Sequence, residues 1–300
     1  MKKVQSFFLF LLTACVFTAC SSDDDNEVLK PTAKNIEIGT GDNKQALIGR
    51  DFHFNADITA GNKIANVQLK ILPKTGETYS KDWKLEFTWS EYIGTKNTNV
   101  HKHFTIPADA VEGKFDFLFI VTDENGTALE IKETITITDP ANMPVDPVIG
   151  RDMLSRNDDL IYYMETWVEP QLIYKKNDKL TAHAQISQIM GNGILYSVLI
   201  KKSLNYHPES IDNLDLKKVI IISKVEHKDL GSASKITTLQ KINDVYGGES
   251  IVLGADKDNE GNAITAEKAW ESGQYNWVVL YKNTSYNMSV YKSMPITINF

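Results

Sequence analysis

The sequence predicts an all-β chain of tandem antiparallel β-sandwich domains of immunoglobulin type, the second with a short helical insertion. Two observations favour this fold class. Short segments such as residues 52–58 alternate apolar and polar side chains, which is the two-residue period of a half-buried strand. Polar turns such as residues 123–126, Asp-Glu-Asn-Gly, separate these segments, and many short strands joined by polar turns are typical of a β-sandwich.

A repeat within the chain indicates two copies of one domain type. Residues 113–121, Gly-Lys-Phe-Asp-Phe-Leu-Phe-Ile-Val, recur as residues 273–281, Gly-Gln-Tyr-Asn-Trp-Val-Val-Leu-Tyr. Aromatic residues match aromatic residues and polar residues match polar residues at nearly every step. Nearer the start of each half, residues 51–59 match residues 179–187.

These matches set the expected domain boundaries. The first sandwich is predicted over residues 32–139 and the second over residues 151–300, with a proline-rich, semi-rigid linker over residues 140–150. Apolar residues recur three apart before a Gly-Gly pair within residues 232–246, and this pattern predicts the one short helix. Residues 151–174 fit either a helix or strands.

The amino terminus has the pattern of an export signal. Lys2 and Lys3 precede an apolar stretch that ends near residue 17, and this stretch is too short to span a bilayer. Small residues before Cys20 resemble the lipobox of bacterial lipoproteins, which predicts residues 1–20 as a lipoprotein signal with acylation at Cys20. Cys15 is a rival site, and a plain secretory signal is the alternative to both.

The segment after Cys20 favours that cysteine as the acylated residue. Residues 21–31 begin with a polar, acidic tether, Ser-Ser-Asp-Asp-Asp-Asn-Glu. The acidic run resembles the export signal that sends lipoproteins to the outer face of the outer membrane, so we expect a lipid-anchored, surface-exposed protein. A soluble spacer in the periplasm is the alternative.

Composition and motifs restrict the function. The chain has 300 residues and a net charge of -7, and it has no basic stripe, so we do not expect a nucleic-acid partner. The sequence contains no nucleophile elbow, phosphate-binding loop or zinc-protease motif, and both cysteines lie in the export signal. We therefore expect a non-catalytic protein with no required cofactor.

The tryptophans offer one ligand hypothesis, because exposed tryptophans stack on sugar rings. Trp277 replaces Phe117 in the repeat and is expected in the core. Trp83 and Trp89 lie on one strand face near a predicted hairpin edge, where either core packing or glycan binding fits. An exposed row of aromatic residues would favour glycan binding.

An acidic loop in the second half has the spacing of a twelve-residue calcium loop. It spans residues 256–267, with a glycine at position six for the sharp turn, although no entering helix precedes it. A solvated acidic turn is the alternative. The candidate calcium ligands are Asp256, Asp258, Glu260, Asn262 and Glu267.

Three histidines form a candidate transition-metal site in the first domain. His53 alternates with buried-type phenylalanines, and His101 and His103 alternate with apolar residues on another strand, so all three should point away from the core. If the two strands pair in one sheet, the imidazoles share a face and could bind zinc or copper, with Asp57 or Glu37 completing the shell. Three solvated surface histidines are the alternative.

The first domain also resembles an uncharacterised Bacteroidetes family of lipoprotein β-sandwich domains of unknown function. The resemblance covers about residues 31–139 and depends on residues 49–58, 97–110 and 113–126. It implies the fold and the location but no settled activity. The family tends to be histidine-rich at these positions, so Phe115 and Phe117 weaken the implied metal role.

Taken together, the sequence favours a binding module at the outer membrane. The expected ligand is a nutrient, a metal ion or a partner protein, beside an outer-membrane importer. A glycan-binding accessory lipoprotein of a polysaccharide-uptake system is the alternative.

Overall fold

The computed structural model describes residues 29–170, 172–237, 239–242 and 245–300. The predicted signal peptide, the acylation site Cys20, its rival Cys15 and most of the acidic tether lie outside these residues. Among the described residues, the helical elements are short 3-10 turns, and no helix is long and apolar enough to cross a membrane.

The first half is a two-layer β-sandwich, as the sequence predicts. Its sheets have the strand orders β1-β3-β6 and β2-β8-β7-β4-β5. The phenylalanines of β3 and β7 meet between the layers, where Phe54, Phe117 and Phe119 are fully buried. The strands are β1 (Thr32–Ile38), β2 (Gln45–Leu47), β3 (Asp51–Thr59), β4 (Ile64–Pro73), β5 (Leu85–Thr88), β6 (Asn97–Thr105), β7 (Gly113–Asp123) and β8 (Ala128–Thr138).

The second half is one curled ten-stranded sheet whose path runs β11-β10-β9-β13-β17-β18-β12, with β14 and β16 also paired to β13. Its strands are β9 (Val148–Arg156), β10 (Asp159–Tyr163), β11 (Thr166–Trp167), β12 (Ile173–Lys175), β13 (Lys179–Lys201), β14 (Val219–Thr237), β15 (Leu239–Ile242), β16 (Val245–Val252), β17 (Gly273–Asn283) and β18 (Met288–Asn299). The all-β sandwich prediction is therefore confirmed for the chain as described.

The repeated segments take corresponding places in the two halves. In the first half, β3 and β4 lie in different sheets, and β4 pairs with β7. In the second half, the single strand β13 corresponds to both β3 and β4. Its first part pairs with β9, and its second part pairs with β17. Several register shifts near residues 187–193 bend β13 between the two parts.

One expectation about the second half is wrong. The described residues within 232–246, predicted to form a short helix, instead continue β14 and form β15 and the start of β16, with Ile236 paired to Ile186 of β13. Isoleucine, threonine and valine are frequent there, and β-branched residues favour strands. The predicted linker is also shorter than expected, because β9 begins at Val148 and Asp146 already donates its backbone N–H to Gln188.

Three hydrophobic cores among the described residues support this architecture. One lies within the first sandwich and one inside the curled sheet of the second half. A third, smaller core contains Val198, Val278 and Leu280, and the segment of residues 202–218 packs on it with Tyr206, Ile211 and Leu214. We call this segment the cover loop. It brings the second half against the outer face of the first domain.

Candidate metal site between the two halves

The three predicted histidines meet on the outer face of the three-stranded sheet. β3 and β6 pair antiparallel, with His53 directly opposite His103 and His101 opposite Asn55. The ring centroids lie 5.0 Å apart for His53–His101 and His53–His103, and 5.2 Å apart for His101–His103. The alternation of side chains along both strands places the three imidazoles together, as the sequence predicts.

A carboxylate from the second half completes the cluster. Glu209 of the cover loop reaches between the imidazoles, and its carboxylate oxygens lie 3.1 Å from His101 Nε2, 3.2 Å from His103 Nε2 and 3.6 Å from His53 Nε2. One ligand atom from each of these residues lies within 4.8 Å of all the others. Among the described residues, this is the one group of three or more histidine and acidic side chains close enough to hold a metal ion.

Two further carboxylates hold the imidazoles from behind. Asp51 lies 2.6 Å from His103 Nδ1, and Glu37 lies 3.5 Å from His53 Nδ1. Both contacts leave the Nε2 atoms directed at Glu209. Metal-binding histidines usually have such an outer partner on the second ring nitrogen, because it fixes the orientation and the tautomer of the ring.

The cover loop is hydrogen-bonded to the first domain through Glu37. Gly41 donates its backbone N–H to one carboxylate oxygen of Glu37 at 2.5 Å, and Asn213 donates its side-chain amide to the other at 2.8 Å. Gly41 has φ of +68°, and a Cβ there would lie 2.7 Å from Ser210 Oγ. Glycine at this position therefore permits the cover loop to approach closely enough for Glu209 to reach the histidines.

Burial of the cluster sets its electrostatics. His53 is 3% exposed, and neither ring nitrogen makes a hydrogen bond of good geometry, so the imidazole is a buried polar group that lacks a full partner. Burial alone would raise the pKa of Glu209, but its contacts with His101 and His103 outweigh burial and lower that pKa. Burial also opposes ionisation of Glu37, and His53 likewise holds the pKa of this carboxyl below its ordinary value.

Two carboxylates next to His103 raise the pKa of its imidazole. The hydrogen bond with Asp51, followed by that with Glu209, raises the pKa of His103 to about 10. Without a metal ion, a proton on His103 therefore supplies the positive charge between the two carboxylates. A cation at the Nε2 atoms would take the place of this charge.

The other candidate ligands behave differently from the histidines. Asp57 does not join the cluster, because it accepts hydrogen bonds from Asn35 at 2.7 Å and from Asn99 at 2.8 Å. Glu37, the alternative, lies at His53. Sequence reasoning missed Glu209, which lies beyond the linker in a loop with no recognisable motif.

The acidic loop at residues 256–267 does not assemble a calcium site. Asp258 is fully buried and accepts backbone N–H groups from Glu260 and Asn262 at 3.1 and 2.9 Å. The ammonium group of Lys268 lies 3.3 Å from its other oxygen and occupies the place of a cation. Asp256, Glu260 and Glu267 do not converge with Asp258 into a metal-binding group. The geometry therefore favours the alternative of a structural turn.

The tryptophans do not form an exposed row among the described residues. Trp83 and Trp277 are buried, and Trp277 donates its ring N–H to Ser197 at 2.8 Å. Trp89 is partly buried against the first core, and Trp167 and Trp270 are partly buried against the second. The observation that would favour glycan stacking is therefore missing from the part of the chain that the structure describes.

Comparisons with solved structures identify β-rich neighbours. PorU from Porphyromonas gingivalis, in its dimeric latent form, matches 93% of this chain over 21% of its own length, with 9% identity and a TM-score of 0.31. Trypsin-activated alpha-2-macroglobulin from Escherichia coli matches 91% of this chain over 17% of its length, with 11% identity and a TM-score of 0.24. The chain thus spans about a fifth of these proteins, and likeness this distant carries no functional argument.

A sequence comparison is informative for the first domain. No curated protein matches the chain. A family model does match residues 18–138, a range that includes the three histidines and Glu37 but not Glu209. Residues 18–138 are therefore similar to DUF4625, a family of domains of unknown function.

Proposed function

We propose that this protein is a non-catalytic, surface-exposed outer-membrane lipoprotein that binds one zinc or copper ion between its two halves. His53, His101 and His103 would supply three imidazole ligands and Glu209 a carboxylate. The observation that carries the proposal is the convergence of these four ligand atoms within 4.8 Å of one another. Imidazole-rich sites suit zinc, copper and nickel, and zinc accepts histidine and glutamate in a tetrahedral shell.

The surroundings of the cluster support a metal ion over a plain salt bridge. A metal ion would give the buried His53 imidazole the partner that it lacks. It would also compensate the negative charge of Glu209, which is 8% exposed. The outer carboxylates Asp51 and Glu37 already have the arrangement that orients histidine ligands.

Cys20 supplies the proposed location. Acylation there would anchor the mature chain through the acidic tether, and several acyl chains give stable attachment. At the cell surface the protein would deliver or hold its ion beside an outer-membrane importer. The packed tryptophans give no support to the alternative of a glycan-binding accessory protein.

Calorimetry with zinc and copper tests the proposal on the mature chain with Cys20 replaced by Ala. We expect one ion per chain, with proton release as the ion replaces the proton on His103. The triple variant His53→Ala, His101→Ala, His103→Ala should lose this binding. His207→Ala is the matched control, since His207 is an exposed histidine two residues before Glu209 and lies outside the cluster. Equal affinity in the triple variant would contradict the proposal.

A further inference from the structure

A cavity of about 240 Å³ lies directly against the histidine cluster. His101 and Glu209 form part of one wall, and the cover loop adds Tyr206. The opposite wall comes from neighbouring strands of the second half, with Asn276 on β17 and Tyr291 on β18. The cavity and the cluster therefore share two of the four proposed ligands.

The cluster is closed on one side and open on the other. The His53 side chain is 3% exposed and that of Glu209 is 9% exposed, whereas those of His101 and His103 are 38% and 32% exposed. With three imidazoles and Glu209 as protein ligands, an outside ligand would be the fifth, a number that zinc reaches in sites that keep one face accessible. The accessible face here is on the His101 side, where the cavity lies.

The far wall of the cavity carries a polar side chain. Asn276 is 8% exposed and lines the cavity, and its amide is not among the buried polar atoms that lack a partner. The side-chain amide offers N–H donors to a ligand atom that enters the cavity. Val278, two residues further along β17 on the same face of the strand, adds an apolar surface to the same wall.

We propose that the metal-loaded site binds a small carboxylate in this cavity. This inference rests on the proposed function. One carboxylate oxygen would coordinate the ion, and the other would accept a hydrogen bond from the Asn276 amide.

Charge and size define the ligand class. A divalent ion with Glu209 as its inner carboxylate keeps a net positive charge toward the cavity, while Asp51 and Glu37 lie behind the imidazole rings. Without the ion, the carboxylates would repel an anion, so binding should require metal. The cavity volume lies below the roughly 300–1,000 Å³ of pockets for drug-sized ligands, which favours a small acid over a polymer.

Cobalt-substituted mature protein with Cys20→Ala provides the test, because the visible spectrum of Co²⁺ changes when its ligands change. Acetate and azide are the probes, and a saturable spectral change is the expected result. Asn276→Leu should weaken acetate binding about tenfold, the loss of roughly one hydrogen bond, without altering cobalt stoichiometry. Ser293→Trp, at an exposed position on the cavity wall, should block both probes.

The outcomes separate the two proposals. Failure of the wild-type chain to bind cobalt, zinc or copper would overturn the proposed function. Cobalt binding with a spectrum that neither probe changes would overturn the carboxylate site alone. A probe response that is as strong in both Asn276→Leu and Ser293→Trp as in the wild type would show that the ligand does not enter this cavity. That result would also overturn the carboxylate site.

Discussion

Replacing Glu209 with Gln is the sharpest test of how the two halves share the site. Glu209 is the one proposed ligand from the second half and lies 3.1–3.6 Å from all three Nε2 atoms. The change keeps the shape of the side chain but removes its charge. Loss of a supporting outer partner alone reduces metal affinity about 10–100-fold, so loss of a charged direct ligand should cost at least about 100-fold.

The expected thermal shift follows from linkage. With free zinc at about 100 times the wild-type Kd, binding stabilises the folded protein by about 2.7 kcal/mol. At the same zinc concentration, a variant with a 100-fold higher Kd gains about 0.4 kcal/mol. Since each kcal/mol moves the Tm of a domain of this size by about 2–4 °C, zinc should raise the wild-type Tm by about 5–10 °C and that of the variant by about 1–2 °C.

Differential scanning calorimetry with and without zinc measures both shifts. Glu124→Gln is the matched control, because Glu124 lies exposed at the turn after β7, away from the cluster. It should respond to zinc like the wild type. A Glu209→Gln variant with the full zinc-dependent shift would refute the role of Glu209 and would leave a site made by the first domain alone.

Three further predictions address other parts of the chain. Asp258→Ala should destabilise the second half by about 3–5 kcal/mol in denaturant unfolding, because it leaves the buried Lys268 ammonium without its partner; restoration by calcium would contradict this. Burial lowers the pKa of His183 from 6.5 to about 4, so the unfolded chain binds the proton more tightly between these values. The free energy of unfolding is therefore undiminished by His183 above about pH 6.5 and falls by up to about 3 kcal/mol toward pH 4. A His183→Gln variant that lost stability as steeply would refute the reasoning. Cys20→Ala should abolish acylation and release the mature protein from membranes, with Cys15→Ala as the control that stays anchored; protease added to intact cells should reach the wild-type protein.

Much of the first domain follows from residue alternation. A strand places successive side chains on opposite faces, so the phenylalanines of β3 fix the core side and send His53 to the other face. The same argument applied to β6 predicts the outward direction of His101 and His103. The histidine face was therefore predictable, and the pairing of β3 with β6 brings its members together.

Local sequence patterns were less reliable where the same residue spacing fits two different local structures. Apolar residues three apart within residues 232–246 suggested a helix, but the segment pairs as strand with β13 and its neighbours. The calcium-loop spacing at residues 256–267 likewise did not predict that the Lys268 ammonium would occupy the position of a cation. Both outcomes depend on partners that lie outside the pattern itself.

The all-β class and the outward face of three histidines could be predicted without the fold, since both depend on residue order along single strands. The folded chain was needed to show that the histidine face is covered, that Glu209 is its partner and that Gly41 allows the contact. His103 and Glu209 are 106 positions apart. Nothing in the local sequence specifies which loop of the second half docks there, because that choice depends on the packing of one folded half against the other.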